Sequence, residues 1–211
     1  MPLSLHPALP SDLDTLIEIY FLSFQNPLAL TAFPDVPPVR KWWTDSIEAE
    51  IKDPTALFLK VVEGDEIIAW AKWNRPVAGK ADEPLPQWPE GGDKELAQAF
   101  FRKMADMHHT LIGSRPHWYL ELLATHPSHQ RKGAGGMLLN YVCKLADAKG
   151  DIAYLEASPV SVSTYQRYGF KEKDRVKMMI NGEEYVNQCM VRDPQRAEEC
   201  NNIGEFGCML D

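Results

Sequence analysis

The stretch from Leu120 to Leu139 constrains this chain more than any other part of it. It reads LELLATHPSHQRKGAGGMLL: an apolar run suited to a buried strand, a polar turn, a cluster of glycines, then apolar residues at helical spacing. A strand that feeds a helix through a glycine-rich turn implies a sheet covered by helices. It also leaves backbone N–H groups free at the helix start, where the macrodipole adds partial positive charge. Gly133, Gly135 and Gly136 remove the side chains that would hold an anion away, and Arg131 and Lys132 add cationic reach. A diphosphate suits such a turn; a glycine-rich helix start with no ligand has the same local sequence. Two familiar phosphate loops are absent. Gly133 follows a lysine instead of preceding one, and Leu138 stands where a dinucleotide fingerprint needs its third glycine.

The remaining pattern alternates helices and strands. Ser4 to Ala8 reads as a first strand, and Ser11 as the N-cap of a helix carrying Leu13, Ile17, Tyr20 and Phe24 at helical spacing. Pro27 to Pro38 reads as a proline-rich loop and Arg40 to Lys52 as a second helix. Ala56 to Val62 and Ile67 to Trp73 form a strand pair across Gly64. An exposed excursion, Pro76 to Asp93, precedes a helix over Glu95 to Leu111. His117 to Thr125 is a strand, Gly135 to Lys149 a helix, Ile152 to Ala157 a strand and Ser161 to Tyr168 a short helix. Asn181-Gly182 is a hairpin turn between strands Phe170 to Ile180 and Glu184 to Val191. The expected class is a mixed α/β or α+β sheet, one domain over residues 1–192 with a tail over 193–211.

A formal charge of −8 with no lysine or arginine block argues against nucleic acid or an anionic membrane as partner. Cys143, Cys189, Cys200 and Cys208 form no C-x-x-C pair, no leader precedes them, and no apolar stretch reaches bilayer length. A soluble, cytoplasmic protein with reduced thiols is expected.

Gln130-Arg131-Lys132-Gly133-Ala134-Gly135 resembles the Q/R-x-x-G-x-G/A signature of the GCN5-related N-acetyltransferase superfamily. Thr125-His126-Pro127 resembles the stretch that precedes that signature, and Tyr165 to Phe170 resembles its Y-x-x-x-G-F element, 32 positions after Gly133. The resemblance implies a mainly antiparallel sheet whose parallel fourth and fifth strands, His117 to Thr125 and Ile152 to Ala157, splay apart around acetyl-CoA. It implies that backbone groups around Leu123, Ala124 and Thr125 meet the pantetheine arm. Gln130, Arg131, Lys132, Gly133, Ala134, Gly135 and Gly136 would hold the pyrophosphate. Ser158 stands where many relatives carry asparagine, which puts that cofactor contact in doubt.

Tyr165 resembles the family tyrosine that protonates the departing thiolate, with a core tyrosine as the alternative. Glu121 and Glu156 stand where relatives place carboxylates. Glu156 lies in an otherwise apolar strand, and burying a carboxylate without a partner or a task is costly. A salt bridge is the other reading for either. Strand alternation sets Glu121, Leu123 and Thr125 against Leu120, Leu122 and Ala124. His126 and His129 lie three apart, but no carboxylate follows at ligand spacing, so no metal is expected. His108 and His109 read as structural or exposed, and Trp42, Trp43 and Phe33 as acceptor pocket or core. The implied activity is acetyl transfer to a primary amine, of a small molecule ahead of a protein lysine or N-terminus, by a monomer or homodimer. O-acetyl or longer acyl transfer and a catalytically idle CoA-binding domain are the other readings.

Overall fold

The computed structural model describes residues 1–78 and 84–195. Its strands are β1 (Leu3–Pro7), β2 (Ala56–Glu63), β3 (Glu66–Asn74), β4 (His117–Thr125), β5 (Ile152–Ala157), β6 (Lys171–Ile180) and β7 (Glu183–Arg192). Its helices are α1 (Leu13–Ser23), α2 (Pro27–Ala32), α3 (Pro37–Glu50), α4 (Lys94–Ile112), α5 (Ala134–Lys149) and α6 (Val162–Gln166). The strands form one sheet in the order β1-β2-β3-β4-β5-β7-β6, antiparallel throughout except for β4 and β5. α5 is the crossover that makes that one parallel pair possible. Cys200, Cys208 and most of the expected tail lie outside the described residues, as does part of the Pro76 to Asp93 excursion.

Apolar clusters fill both faces of the sheet. α1 to α4 cover Trp70, Leu122, Tyr154 and Cys189 on one face. α5 and Tyr165 of α6 cover Trp73, Trp118, Leu120 and Leu155 on the other. The residue period of two along β5 distributes neighbours between these cores.

Parallel pairing of β4 with β5 begins at His117–Ile152 and ends at Leu120–Leu155. Beyond it, β4 continues beside β3 to Thr125, while β5 runs beside β7 with Glu156 opposite Cys189 and Ala157 opposite Gln188. The two strands part, and a gap opens at Glu121 and Glu156. The expected splay is present.

Some local expectations need correction. Strict alternation along β4 fails because the register with β3 passes from Lys72–Leu122 to Trp73–Leu120, leaving Glu121 as an extra residue. Leu120 and Leu123 consequently both pack on the α5 face, while Leu122 and Ala124 face α1 to α4. The supposed loop from Pro27 contains α2, because Asn26 accepts the Ala29 amide (3.0 Å) and Pro27 occupies the first turn. α3 starts at Pro37, ahead of Arg40, for the same proline reason. Ser11 does not cap α1. Asp12 accepts the Leu9 amide at 2.7 Å and closes a 3₁₀ turn before the helix begins at Leu13.

Candidate active site

The turn between β4 and α5 leaves backbone donors open at its end, where the helix starts. Gly133 at the N-cap has φ +97° and ψ −7°, a left-handed conformation with no side chain to cap the helix. Arg131 also has positive φ, at 62°. Helices α2 and α4, by contrast, are capped by Asn26 and Asp93. The first amides of a helix have no partner within it, so those of Ala134, Gly135 and Gly136 point out beside exposed Arg131 and Lys132. A diphosphate fits this arrangement.

The three glycines are not alike. A Cβ on Gly133 would meet nothing within 4 Å, so backbone conformation alone selects glycine there. A Cβ on Gly135 would meet Leu123 and Thr125 at 3.5 and 3.7 Å, ordinary contact distances, so space does not require glycine there. At Gly136 it would meet the Tyr168 hydroxyl at 2.4 Å. That residue therefore makes room for a tyrosine of this chain, and Tyr168, half-buried, packs against both the helix start and the core on the α5 face. The Thr125 carbonyl accepts from the Ser23 hydroxyl (2.9 Å) and from Gln130 Nε2 (3.3 Å). Gln130 thus braces the turn through its side chain.

Carboxylates occupy the opposite, α1 to α4 side of the gap. Glu121 Oε2 lies 2.8 Å from Lys72 Nζ and accepts from Asn74 Nδ2 at 3.0 Å. Lys72 Nζ also reaches Glu50 of α3 at 2.8 Å. Burial pulls the Lys72 ammonium down, but Glu121 and Glu50 outweigh it and hold it above its ordinary value. Glu121 is therefore held in an ion pair. Glu156 is not. Its Oε1 is buried with no hydrogen-bond partner among the described residues. Burial pushes its carboxyl up to about 7, with the nearby Tyr154 and Tyr119 hydroxyls pulling the other way. Sequence reasoning missed Lys72, although a lone cation in the apolar run IIAWAKWN carries the same signal that picked out Glu156.

Tyr165 lies on the α5 face, 8% exposed, its ring edge-on to Phe170 at 6.1 Å. Burial pushes its hydroxyl up to about 12, against a smaller opposing pull from the Ser161 side chain. At neutral pH it keeps its proton and can give it. Ser158 sits half-buried at the start of this turn, its hydroxyl 3.1 Å from that of Ser161, whose Oγ also donates to the Ser158 carbonyl at 2.9 Å. The α5 face of the sheet thus carries a phosphate-suited turn and a buried tyrosine, and the opposite face carries the buried carboxylate oxygen of Glu156.

The histidines make side-chain contacts of their own. Ser128 Oγ stands 2.8 Å from both His126 Nδ1 and His129 Nδ1, and no group of three metal-ligating side chains occurs among the described residues. His108 stacks on Tyr154 at 4.3 Å and its Nε2 lies 2.7 Å from His117 Nε2, whereas His109 is exposed. Phe33, Trp42 and Trp43 pack with Trp88 and Phe101 in one aromatic cluster, as core.

A family model described as the acetyltransferase (GNAT) family matches residues 13–170, and the chain belongs to that family. Its members carry out acetyl-CoA-dependent acetylation. Comparison with curated proteins returns no significant match. Among solved structures, one described as histone acetyltransferase HPA2 and related acetyltransferase, from Corynebacterium glutamicum, aligns at 22% identity with TM-score 0.63, over 92% of this chain and 98% of that one. Arabidopsis thaliana NAA60 in complex with a bisubstrate analogue aligns at 16% identity with TM-score 0.60, over 93% and 100%. The ribosomal-protein-S18-alanine N-acetyltransferase of Escherichia coli aligns at 13% identity with TM-score 0.57, over 97% and 100%. Identities this low speak for the fold. No helix among the described residues is long and apolar enough to cross a membrane.

Proposed function

We propose that this chain transfers the acetyl group of acetyl-CoA to a primary amine, with Glu156 as base and Tyr165 as acid. The observation that carries this reading is the buried, unpartnered Oε1 of Glu156 where β4 and β5 part. A carboxyl pushed up to about 7 is half-ionised near neutrality and can take a proton from an incoming ammonium or amine. Acetyl-CoA supplies the activated acyl group as a thioester. The α5 amides of residues 134–136, with Arg131 and Lys132, hold its diphosphate, and the edge of β4 beyond Leu120 meets the pantetheine arm. Leu123 is the freer contact there, since the Thr125 carbonyl already accepts twice. Tyr165 protonates the departing sulfur as the C–N bond forms and the C–S bond breaks, and Glu156 receives the nitrogen's proton. Glu121, paired with Lys72, shapes the site, and Glu156 acts as the base.

A small amine suits this site better than a peptide laid along the sheet. On the α1 to α4 face, Asn181 Nδ2 donates to Thr31 Oγ1 at 3.1 Å, tying the β6–β7 turn to α2. The test is thermal unfolding with increasing acetyl-CoA, followed by thiol release with a panel of amines and lysine peptides. Ligand binding only the folded state raises the melting temperature with concentration. No shift would sink the cofactor assignment; turnover of peptides alone would replace the small-molecule reading with a protein one.

A further inference from the structure

Buried polar atoms without a partner call for an explanation, and here the acceptors among them cluster. Among the described residues, the unpartnered carbonyl and carboxylate oxygens are Glu156 Oε1, Asn187 Oδ1 and Gln188 Oε1. Glu156 and Gln188 belong to the paired ends of β5 and β7, where Glu156 stands opposite Cys189 and Ala157 opposite Gln188, and Asn187 is the next residue of β7, paired with Val176 of β6. Cross-strand partners share a face, and Cys189 belongs to the cluster beneath α1 to α4. Asn187, two residues before Cys189 on β7, shares that face and is the diagonal neighbour of Glu156. It is only 8% exposed. Gln188 points to the other side.

Diagonal neighbours on an antiparallel pair have Cβ atoms roughly 7 Å apart, so two such side chains can reach one small group between them. An unsatisfied buried acceptor is costly, and two side by side are matched by a group with two protons to give. We infer that Asn187 Oδ1 is the second receiver of the acceptor nitrogen, taking one N–H while Glu156 Oε1 takes the other, and that the site therefore selects primary amines over secondary amines and alcohols. This rests on the proposed acetyl transfer and deepens it. A neutral primary amine satisfies both oxygens. A neutral secondary amine or an alcohol has one proton and leaves one oxygen bare. Asn187 orients the nitrogen and gives it no proton chemistry; the proton lost on C–N bond formation still goes to Glu156.

The experiment compares 2-phenylethylamine, its N-methyl derivative and 2-phenylethanol as acceptors, read by thiol release, in the full chain and in Asn187→Leu and Asn187→Asp. The wild type should favour the primary amine about tenfold or more, the factor a lost hydrogen bond of this kind corresponds to. Asn187→Leu, similar in size, should bring that ratio close to one, raise KM for the primary amine, and leave the acetyl-CoA melting shift unchanged. Asn187→Asp keeps an acceptor oxygen and should retain the preference. An unchanged ratio in Asn187→Leu overturns the inference, as does equal use of the three probes by the wild type. Failure of all three probes while acetyl-CoA still raises the melting temperature also overturns it and leaves cofactor binding standing. Absence of the acetyl-CoA shift overturns the reading beneath it.

Discussion

Burial holds the Glu156 carboxyl near 7 instead of its ordinary 4.5, so the folded chain keeps a proton there that the unfolded chain has released. The resulting contribution to stability is fully present below the unfolded value and is lost as pH rises through about 7. Glu156→Gln should therefore be more stable than wild type by on the order of 2–3 kcal/mol near pH 8 and little different near pH 4, as measured by urea unfolding. The same variant should lose the rise in turnover with pH that a carboxylate base produces; a wild-type pH profile in it would exclude Glu156 as base. Tyr165→Phe separates chemistry from binding. Turnover should fall about 10²- to 10⁴-fold while the acetyl-CoA melting shift stays, and undiminished turnover would make Tyr165 structural. Both residues are legible in the sequence, Glu156 as a charge in an apolar strand and Tyr165 through the Y-x-x-x-G-F resemblance. Asn187 is not, because an asparagine in Tyr185-Val186-Asn187-Gln188 reads like any polar position of a hairpin strand.

Two elements, the start of α5 and the turn after α6, are built against each other. The Tyr168 hydroxyl occupies the space where a Gly136 side chain would stand. Gly136→Ala must push that ring aside and should destabilise the fold by about 1–3 kcal/mol, with weaker acetyl-CoA binding as the helix start shifts. Adding Tyr168→Phe removes the clashing oxygen and should recover part of both losses. Additivity of the two changes in a double-mutant cycle would show that they do not meet. From the sequence this glycine is indistinguishable from its neighbour Gly135, since both follow Gly133 in one run. The bulge at Glu121 is equally hidden: period-two alternation is a local rule, and the register with β3 breaks it.

Across the whole molecule, the end of β7 is locked to α5. Arg192 Nη1 and Nη2 reach Asp147 Oδ1 and Oδ2, each at 2.7 Å, and Arg192 Nε donates to the Tyr168 carbonyl at 2.7 Å. The Gln195 amide donates to Asp147 as well, at 2.7 Å. Burial pushes the Asp147 carboxyl up, but the Arg192 bonds and that amide outweigh it and hold it below its usual range. Its stabilisation is thus present above the unfolded carboxylate value and lost as pH falls through the folded one. Asp147→Asn removes one charge partner of the buried Arg192 guanidinium and should cost about 3 kcal/mol at neutral pH, less in acid. Equal stability of variant and wild type in denaturant at neutral pH would show the pair to be neutral.

What the sequence determined by itself was local or carried in consecutive residues. The extents of β4 and β5 follow from apolar runs, the β6–β7 turn from Asn181-Gly182, whose φ values of 53° and 85° suit few other pairs, and the α5 turn from its glycines. The tertiary structure decided which polar side chains meet a partner. Glu121 and Glu156 are both carboxylates on the two parting strands, yet Lys72 arrives from β3 to pair with one, while among the described residues the other is met by the Tyr154 and Tyr119 hydroxyls and by no cation. Lys72 precedes Glu121 by 49 positions, and Asn187 follows Glu156 by 31. Only strand pairing brings such residues within reach, because hydrogen bonds and desolvation act over a few ångströms of space and not along the chain.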